Sequence, residues 1–150
     1  MKFHDQLYID GQWVRPQQGG TFATIDPSDE SVITQVAAAT AQDVDLAVKA
    51  ARRAFDEGPW PHMSGAERAT ILRAIASGIR ERQDDLAALE VRDNGKPLPE
   101  ALWDIGDTAG CFDFYADLAD DLDGHREQNI ALADERFTSV ARKAPMVVST

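Results

Sequence analysis

A chain of 150 residues has the length of one ordinary domain, and 43% hydrophobic with 27% charged residues is the balance of a globular protein. Twenty-six acidic against fifteen basic side chains leave a net charge of −11, which excludes the basic footprint that nucleic acid or an anionic membrane would require. A single cysteine, Cys111, excludes an internal disulfide. No window approaches the ~20 apolar residues of a membrane span, and Met1 to Gln6 lack the apolar run of a signal peptide. A cytoplasmic protein in a reducing compartment is expected.

Strands come first. Leu7-Tyr8-Ile9 and Trp13-Val14 flank Asp10-Gly11-Gln12, and Asp-Gly between apolar residues is a hairpin signal. After the Gln17–Gly20 loop, Phe22, Thr24 and Ile25 lead into the Asp26-Pro27-Ser28-Asp29-Glu30 turn, and Val32, Ile33 and Val36 return. Helices follow. Thr40 reads as an N-cap with Asp43 at the third helical position, and Val44, Ala47, Val48, Ala51 and Phe55 recur at helical spacing until Gly58-Pro59. Ser64 with Glu67 makes a capping box ahead of a stripe of Ile71, Leu72, Ile75 and Ile79, expected to be buried. Leu86 and Leu89 continue the pattern past an irregularity near Gln83. Gly95 is placed to cap that helix, with Pro97 just beyond. From Pro99, a further helix carries Leu102, Ile105, Ala109, Phe112 and Ala116 and ends near Leu122-Asp123-Gly124. The stretch from Ile130 to Val148 reads as one extended segment with Phe137, Val140, Val147 and Val148.

The order predicts an α/β chain with a gap in it. A compact chain of this size buries about 68–70% of its unfolded surface. Two hairpins and at least three amphipathic helices supply apolar faces, yet no run of strands exists for the helices to cover. A sheet outside these residues would resolve that.

Several segments, in order, then define a resemblance: Tyr8-Ile9-Asp10-Gly11-Gln12-Trp13-Val14, Ile25-Asp26-Pro27, Ala54-Phe55-Asp56, Trp60, Glu67-Arg68, and Asp93-Asn94-Gly95-Lys96-Pro97. With these the chain resembles the N-terminal third of the aldehyde dehydrogenase superfamily. Trp103-Asp104-Ile105-Gly106-Asp107, Ala109-Gly110-Cys111-Phe112, Tyr115-Ala116 and Leu132-Ala133-Asp134-Glu135-Arg136-Phe137-Thr138-Ser139 look most like its betaine-aldehyde and aminoaldehyde branch.

The resemblance implies an N-terminal part of the aldehyde dehydrogenase fold: two hairpins, then helices of the Rossmann-like cofactor domain over residues 1–123. Residues 124–150 would begin an oligomerisation arm, and the catalytic domain would be absent. It also implies oxidation of a small aldehyde to a carboxylic acid with NAD or NADP, in a homo-oligomer. In the family a cysteine thiolate attacks the carbonyl, a backbone amide and an asparagine hold the oxyanion, and a glutamate activates water. All of those groups fall beyond the matched part. Ala144-Pro145-Met146-Val147-Val148-Ser149-Thr150 starts like the family strand that precedes them and then diverges, as a shortened or frameshifted reading frame would. These 150 residues are therefore expected to be inactive alone and to expose faces such as Ile71/Ile75/Ile79. A different class stays open: a non-catalytic module that binds a partner or a full-length homologue through those faces.

Individual residues sharpen this. Cys111 sits beside Phe112 in an apolar helical stripe with no histidine near in sequence, so it reads as a buried small hydrophobe and no catalytic residue is assigned. His4, His62 and His125 share no metal-ligand spacing with it, and no glycine-rich phosphate loop is present, so no cofactor-binding residue is assigned. The resemblance implies a monovalent cation held by Thr24, Ile25 and Asp93, since backbone oxygens and one carboxylate make a weak hard-cation site. The alternative is that Asp93 and Asn94 only satisfy a helix end. Glu100, Asp104 and Asp107 share a helix face, with Trp103 adjacent. In the resembling branch, Trp103, Asp104 and Asp107 would stand at the substrate entrance, where carboxylates and an indole attract a cationic aldehyde. The competing reading is a solvated acidic face.

Overall fold

The computed structural model describes residues 5–125, 127–133 and 136–144. His4, Asp134, Glu135 and the segment from Pro145 to Thr150, with Val147 and Val148, lie outside the described residues.

β1 (Leu7–Ile9) and β2 (Gln12–Val14) pair antiparallel, Leu7 opposite Val14 and Ile9 opposite Gln12. The turn between them holds Asp10 and Gly11 both at positive φ, 54° and 75°, which matches the right-handed twist of the strands and which Asp-Gly tolerates. β3 (Thr21–Ile25) and β4 (Val32–Ala37) form a second antiparallel hairpin. Its register shifts between Thr24, opposite Thr34, and Ile25, opposite Val32, so Ile33 is the extra residue of a β-bulge.

Four helices follow: α1 (Ala41–Glu57), α2 (Gly65–Glu81), α3 (Gln83–Asn94) and α4 (Leu98–Leu122). Both predicted capping boxes form. Thr40 Oγ1 accepts from the Asp43 amide at 3.4 Å while Asp43 accepts from the Thr40 amide at 2.8 Å. Asp43, only 2% exposed, also accepts the Gln17 amide at 3.1 Å, so one carboxylate starts α1 and pins the loop after β2. At α2, the Glu67 amide donates to Ser64 Oγ at 3.2 Å and the Ser64 amide to Glu67 at 2.7 Å. The irregularity expected near Gln83 is a break at Arg82 between α2 and α3.

Among the described residues the fully buried hydrophobic ones are Ala69, Ala76, Ala87, Ala101, Ala109 and Ala116. Side chains this small let the axes of α2 and α4 come close. A Cβ on Gly65 would overlap the Ala119 carbonyl. The two helices run antiparallel, flanked by ion pairs from Arg73 to Asp117 and Asp120, both 2.7 Å, and from Arg80 to Asp113 at 2.5 Å. Gln83 Nε2 donates to the Leu102 carbonyl at 2.8 Å and fixes α3 on α4.

Ile71 and Ile75 are exposed, as expected of these 150 residues alone, while Leu72 and Ile79 are half-buried, because the close helix contact selects Gly65, Ala69 and Ala76. Val44 and Val48 on α1 are exposed as well. One expectation changes here: the segment from Ile130 is no single extended run. β5 (Glu127–Ile130) folds back on β6 (Ser139–Arg142), Ile130 opposite Ser139, since two strands satisfy backbone groups that one leaves bare.

The exposed area is 11,017 Å², against about 7,500 Å² for a compact monomer of this mass. The chain thus buries about 54% of its unfolded surface, well short of a compact fold. Among the described residues no helix is long and apolar enough to cross a membrane.

Gly65→Ala is expected to lower stability by about 1–3 kcal/mol, read from urea denaturation, because backbone rather than a flexible side chain meets the new methyl. The amides of Thr40 and Gln17, Thr40 first, hold the Asp43 carboxyl below its ordinary value of 3.8. Its contribution is therefore present above about pH 4 and lost as pH falls through the lower folded value. Asp43→Asn is expected to flatten that acid limb in a pH series of thermal midpoints.

Candidate functional site

Strands β3 and β4, the C-terminal part of α3 and the first turns of α4 line a concavity of about 460 Å³. Its polar wall is Thr24, Thr34, Glu90, Asp93, Asp104 and Thr108, and Ile33 and Val36 of β4 join Leu86, Leu89 and Ile105 in the apolar part.

Local chemistry puts these groups together. Asp26 folds the turn onto itself by accepting from the Ser28 amide at 3.0 Å and hydroxyl at 2.6 Å. Those bonds, the hydroxyl's first, hold its carboxyl below the usual range, and Arg92 Nε stands 3.7 Å away on α3. Gly95 ends α3 at φ 77°, and a Cβ there would sit 3.0 Å from Pro27. Only glycine meets both demands, the left-handed turn and the near contact. The Lys96 amide then donates to Asn94 Oδ1 at 2.9 Å. Asn94 thus serves the helix end, and Asp93 faces the concavity instead.

Lys96 joins the two helices. Its Nζ lies 2.8 Å from Glu90 and makes a short ion pair with Asp104, and these carboxylates, Asp104 first, raise its pKa. Glu90 Oε2 is buried with no hydrogen-bond partner.

The residues singled out from sequence separate into two groups. Thr24, Asp93 and Asp104 meet in the concavity. The Ile25 side chain is 42% exposed and outside it, so a role there would fall to its backbone, where the register shift interrupts the ladder. Trp103, 67% exposed, lies with exposed Asp107 and Glu100 on the open side of α4, while neighbouring Asp104 turns to Lys96. Glu90 and Lys96 were not assigned roles from sequence. Their signal was the Glu90–Asp93 spacing of one helical turn and the lysine inside Asn94-Gly95-Lys96-Pro97. Cys111 is exposed rather than buried, because two residues along a helix turn it some 200° from buried Ala109.

The unpartnered Glu90 oxygen and the Asp93 carboxylate are hard oxygen donors of the kind a monovalent cation takes. Among the described residues, no α-helix start is left open for a pyrophosphate. A pyrophosphate seeks a free helix N-terminus. Here α1 and α2 are closed by their own Asp43 and Glu67, α3 opens on Asp84 and Asp85, and α4 on Pro97.

Comparison with known proteins agrees with this architecture. The aldehyde dehydrogenase family model matches residues 13–150, and the chain belongs to that family. It is 48% identical over 146 residues to a chloroplastic aminoaldehyde dehydrogenase of Arabidopsis thaliana, and equally to a chloroplastic betaine aldehyde dehydrogenase of Amaranthus hypochondriacus. Each match covers 95% of this chain and 29% of the relative, so the chain spans under a third of their length. The betaine aldehyde dehydrogenase of Staphylococcus aureus, solved in complex with NAD+, superposes with a TM-score of 0.82 at 36% identity, over 88% of this chain and 26% of that one. The fold is the N-terminal part of the aldehyde dehydrogenase fold.

Since its partners raise the Lys96 pKa above 10.5, the stability it confers is complete below that value and lost only as pH rises through the higher folded value. Lys96→Met is expected to lower the urea midpoint by a constant amount from pH 6 to pH 10, with the gap closing only at stronger alkali.

Proposed function

We propose that this chain is the N-terminal portion of an NAD(P)-dependent dehydrogenase that oxidises a cationic aldehyde, of the betaine-aldehyde or aminoaldehyde kind, to a carboxylic acid. The observation that carries the reading is 48% identity to two enzymes named for such aldehydes. In this reading residues 1–123 belong to the cofactor domain and residues 124–150 begin an oligomerisation arm, with the β5–β6 hairpin as its start. The nucleophile, the general base and the main dinucleotide contacts belong to residues outside this chain. The 150 residues alone do not turn over. The enzyme works as a cytoplasmic homo-oligomer, although the plant relatives carry chloroplastic and peroxisomal designations.

This chain's own residues act on the substrate side and on rigidity. Trp103 and Asp107 attract the cationic group of the aldehyde at the entrance, the indole by its face and the carboxylate by charge. Asp104, tied to Lys96, holds that turn of α4 against α3. Thr24, the Ile25 backbone and Asp93 hold a monovalent cation beside Glu90, which keeps the β3 turn in place.

The large exposed area also favours a second reading, a non-catalytic module docking a partner. One sample separates them: thermal unfolding of the 150-residue chain by circular dichroism, with aldehyde-dependent NAD reduction assayed alongside. A broad transition without turnover supports the enzyme-portion reading, and a sharp one without turnover the module. Turnover abolished by Cys111→Ala overturns both. In the complete enzyme, Trp103→Ala is expected to raise KM for betaine aldehyde about two- to fivefold, with little change for neutral propanal.

A further inference from the structure

A second cavity, of about 820 Å³, lies between the ends of α1 and α4, the start of α2 and the β5–β6 hairpin. Phe55, Trp60 and Leu122 give it apolar walls, and Arg68, Arg142 and Lys143 give it positive charge. A basic cavity is unexpected in a chain of net charge −11.

Arg68 is the centre of the argument. The residue is 9% exposed, and its Nη2 is buried with no hydrogen-bond partner. The carboxylate that Nη2 faces, Asp123, stands 4.0 Å away, beyond hydrogen-bond reach. Asp123 is drawn elsewhere, since its other oxygen accepts the Gly65 amide at 2.5 Å. Arg142 is held by Glu127, whereas Lys143 adds a further charge at the rim. A buried guanidinium without a full acceptor costs stability, and a forked donor set is matched best by a planar, two-oxygen anion.

We infer that this cavity binds a carboxylate carried on an apolar or aromatic body, the carboxylate engaging Arg68 and Lys143 and the body lying against Phe55 and Trp60. A small shift of the Arg68 side chain toward the cavity exchanges the long Asp123 contact for a two-oxygen one. The apolar walls distinguish this ligand from a bare inorganic anion, which would leave Phe55 and Trp60 unfilled. The carboxylate comes either from a free organic acid or from an acidic side chain of polypeptide outside these 150 residues.

The probe is 3-phenylpropionate, with 3-phenylpropan-1-ol as its uncharged counterpart, titrated into the 150-residue chain carrying Trp13→Phe and Trp103→Phe. Trp60, 43% exposed on the cavity wall, is then the only indole and reports by fluorescence. The expected result is a saturable change with the acid and none with the alcohol. Arg68→Lys, which keeps the charge and loses the fork, weakens binding about tenfold. Lys143→Gln, at an exposed position remote from the helix seam, weakens it about two- to fivefold and keeps the test open if the Arg68 variant misfolds. A flat titration, an equal response to the alcohol, or saturation unchanged by Lys143→Gln overturns the inference. The same titration on the complete dehydrogenase identifies the source. Binding in both chains supports a free acid, and binding only in the short chain supports a polypeptide carboxylate already seated there. Only that last arm rests on the proposed parent enzyme, so failure of the first titration and failure of the enzyme reading are separately visible.

Discussion

The contact of α2 with α4 governs the placement of nearly everything else. Gly65, Ala69 and Ala76 meet a helix whose buried positions are Ala101, Ala109 and Ala116, and backbone rather than side chains sets the distance. Small residues bring more atoms within van der Waals range per turn but bury little area each. Specificity of alignment must then come from the edges, where Arg73 and Arg80 reach three aspartates of α4. Exposed pairs of this kind contribute little energy individually. What they fix is the antiparallel register. Once that is set, Gln83 places α3, and α3 carries Glu90 and Asp93 to the β3–β4 hairpin, with Lys96 just past its end.

The same arrangement explains why so much apolar surface stays in water. With alanines consumed in the seam, the larger side chains of its two helices are left to other faces, Ile71 and Ile75 on α2 and Phe114 and Leu118 on α4, and Val44 and Val48 of α1 are exposed too. In an isolated domain this pattern would be a liability. The relatives it matches are over three times as long, with chain to spare for covering such faces.

Electrostatics divides labour among the chain's parts. Acidic residues close the starts of α1 and α2, which spends the helix dipoles locally and removes the usual landing place for a phosphate. Carboxylates at the end of α3 and on α4 converge on Lys96, and one oxygen of Glu90 remains without a partner. Arg68 is the converse, a buried cation short of an acceptor. Both imbalances sit in cavities, and neither atom finds a hydrogen-bond partner among the described residues.

Local chemistry was legible from the residues alone. Asp10-Gly11 specified its turn, Thr40/Asp43 and Ser64/Glu67 their helix starts, and Gly95 its left-handed cap, because each depends on atoms within a few residues. The motif order likewise sufficed for the family, which the family model and the relatives bear out. Tertiary structure alone decided which side of each helix faces inward. Helical periodicity marks an apolar stripe, but the partner's shape chooses between isoleucines and alanines, and here a close backbone approach chose the alanines. It also decided that Cys111 is exposed, that the chain returns after Ile130, and that Asp104 parts company with Trp103 to meet Lys96. Each of these depends on groups that spacing along the sequence does not bring together.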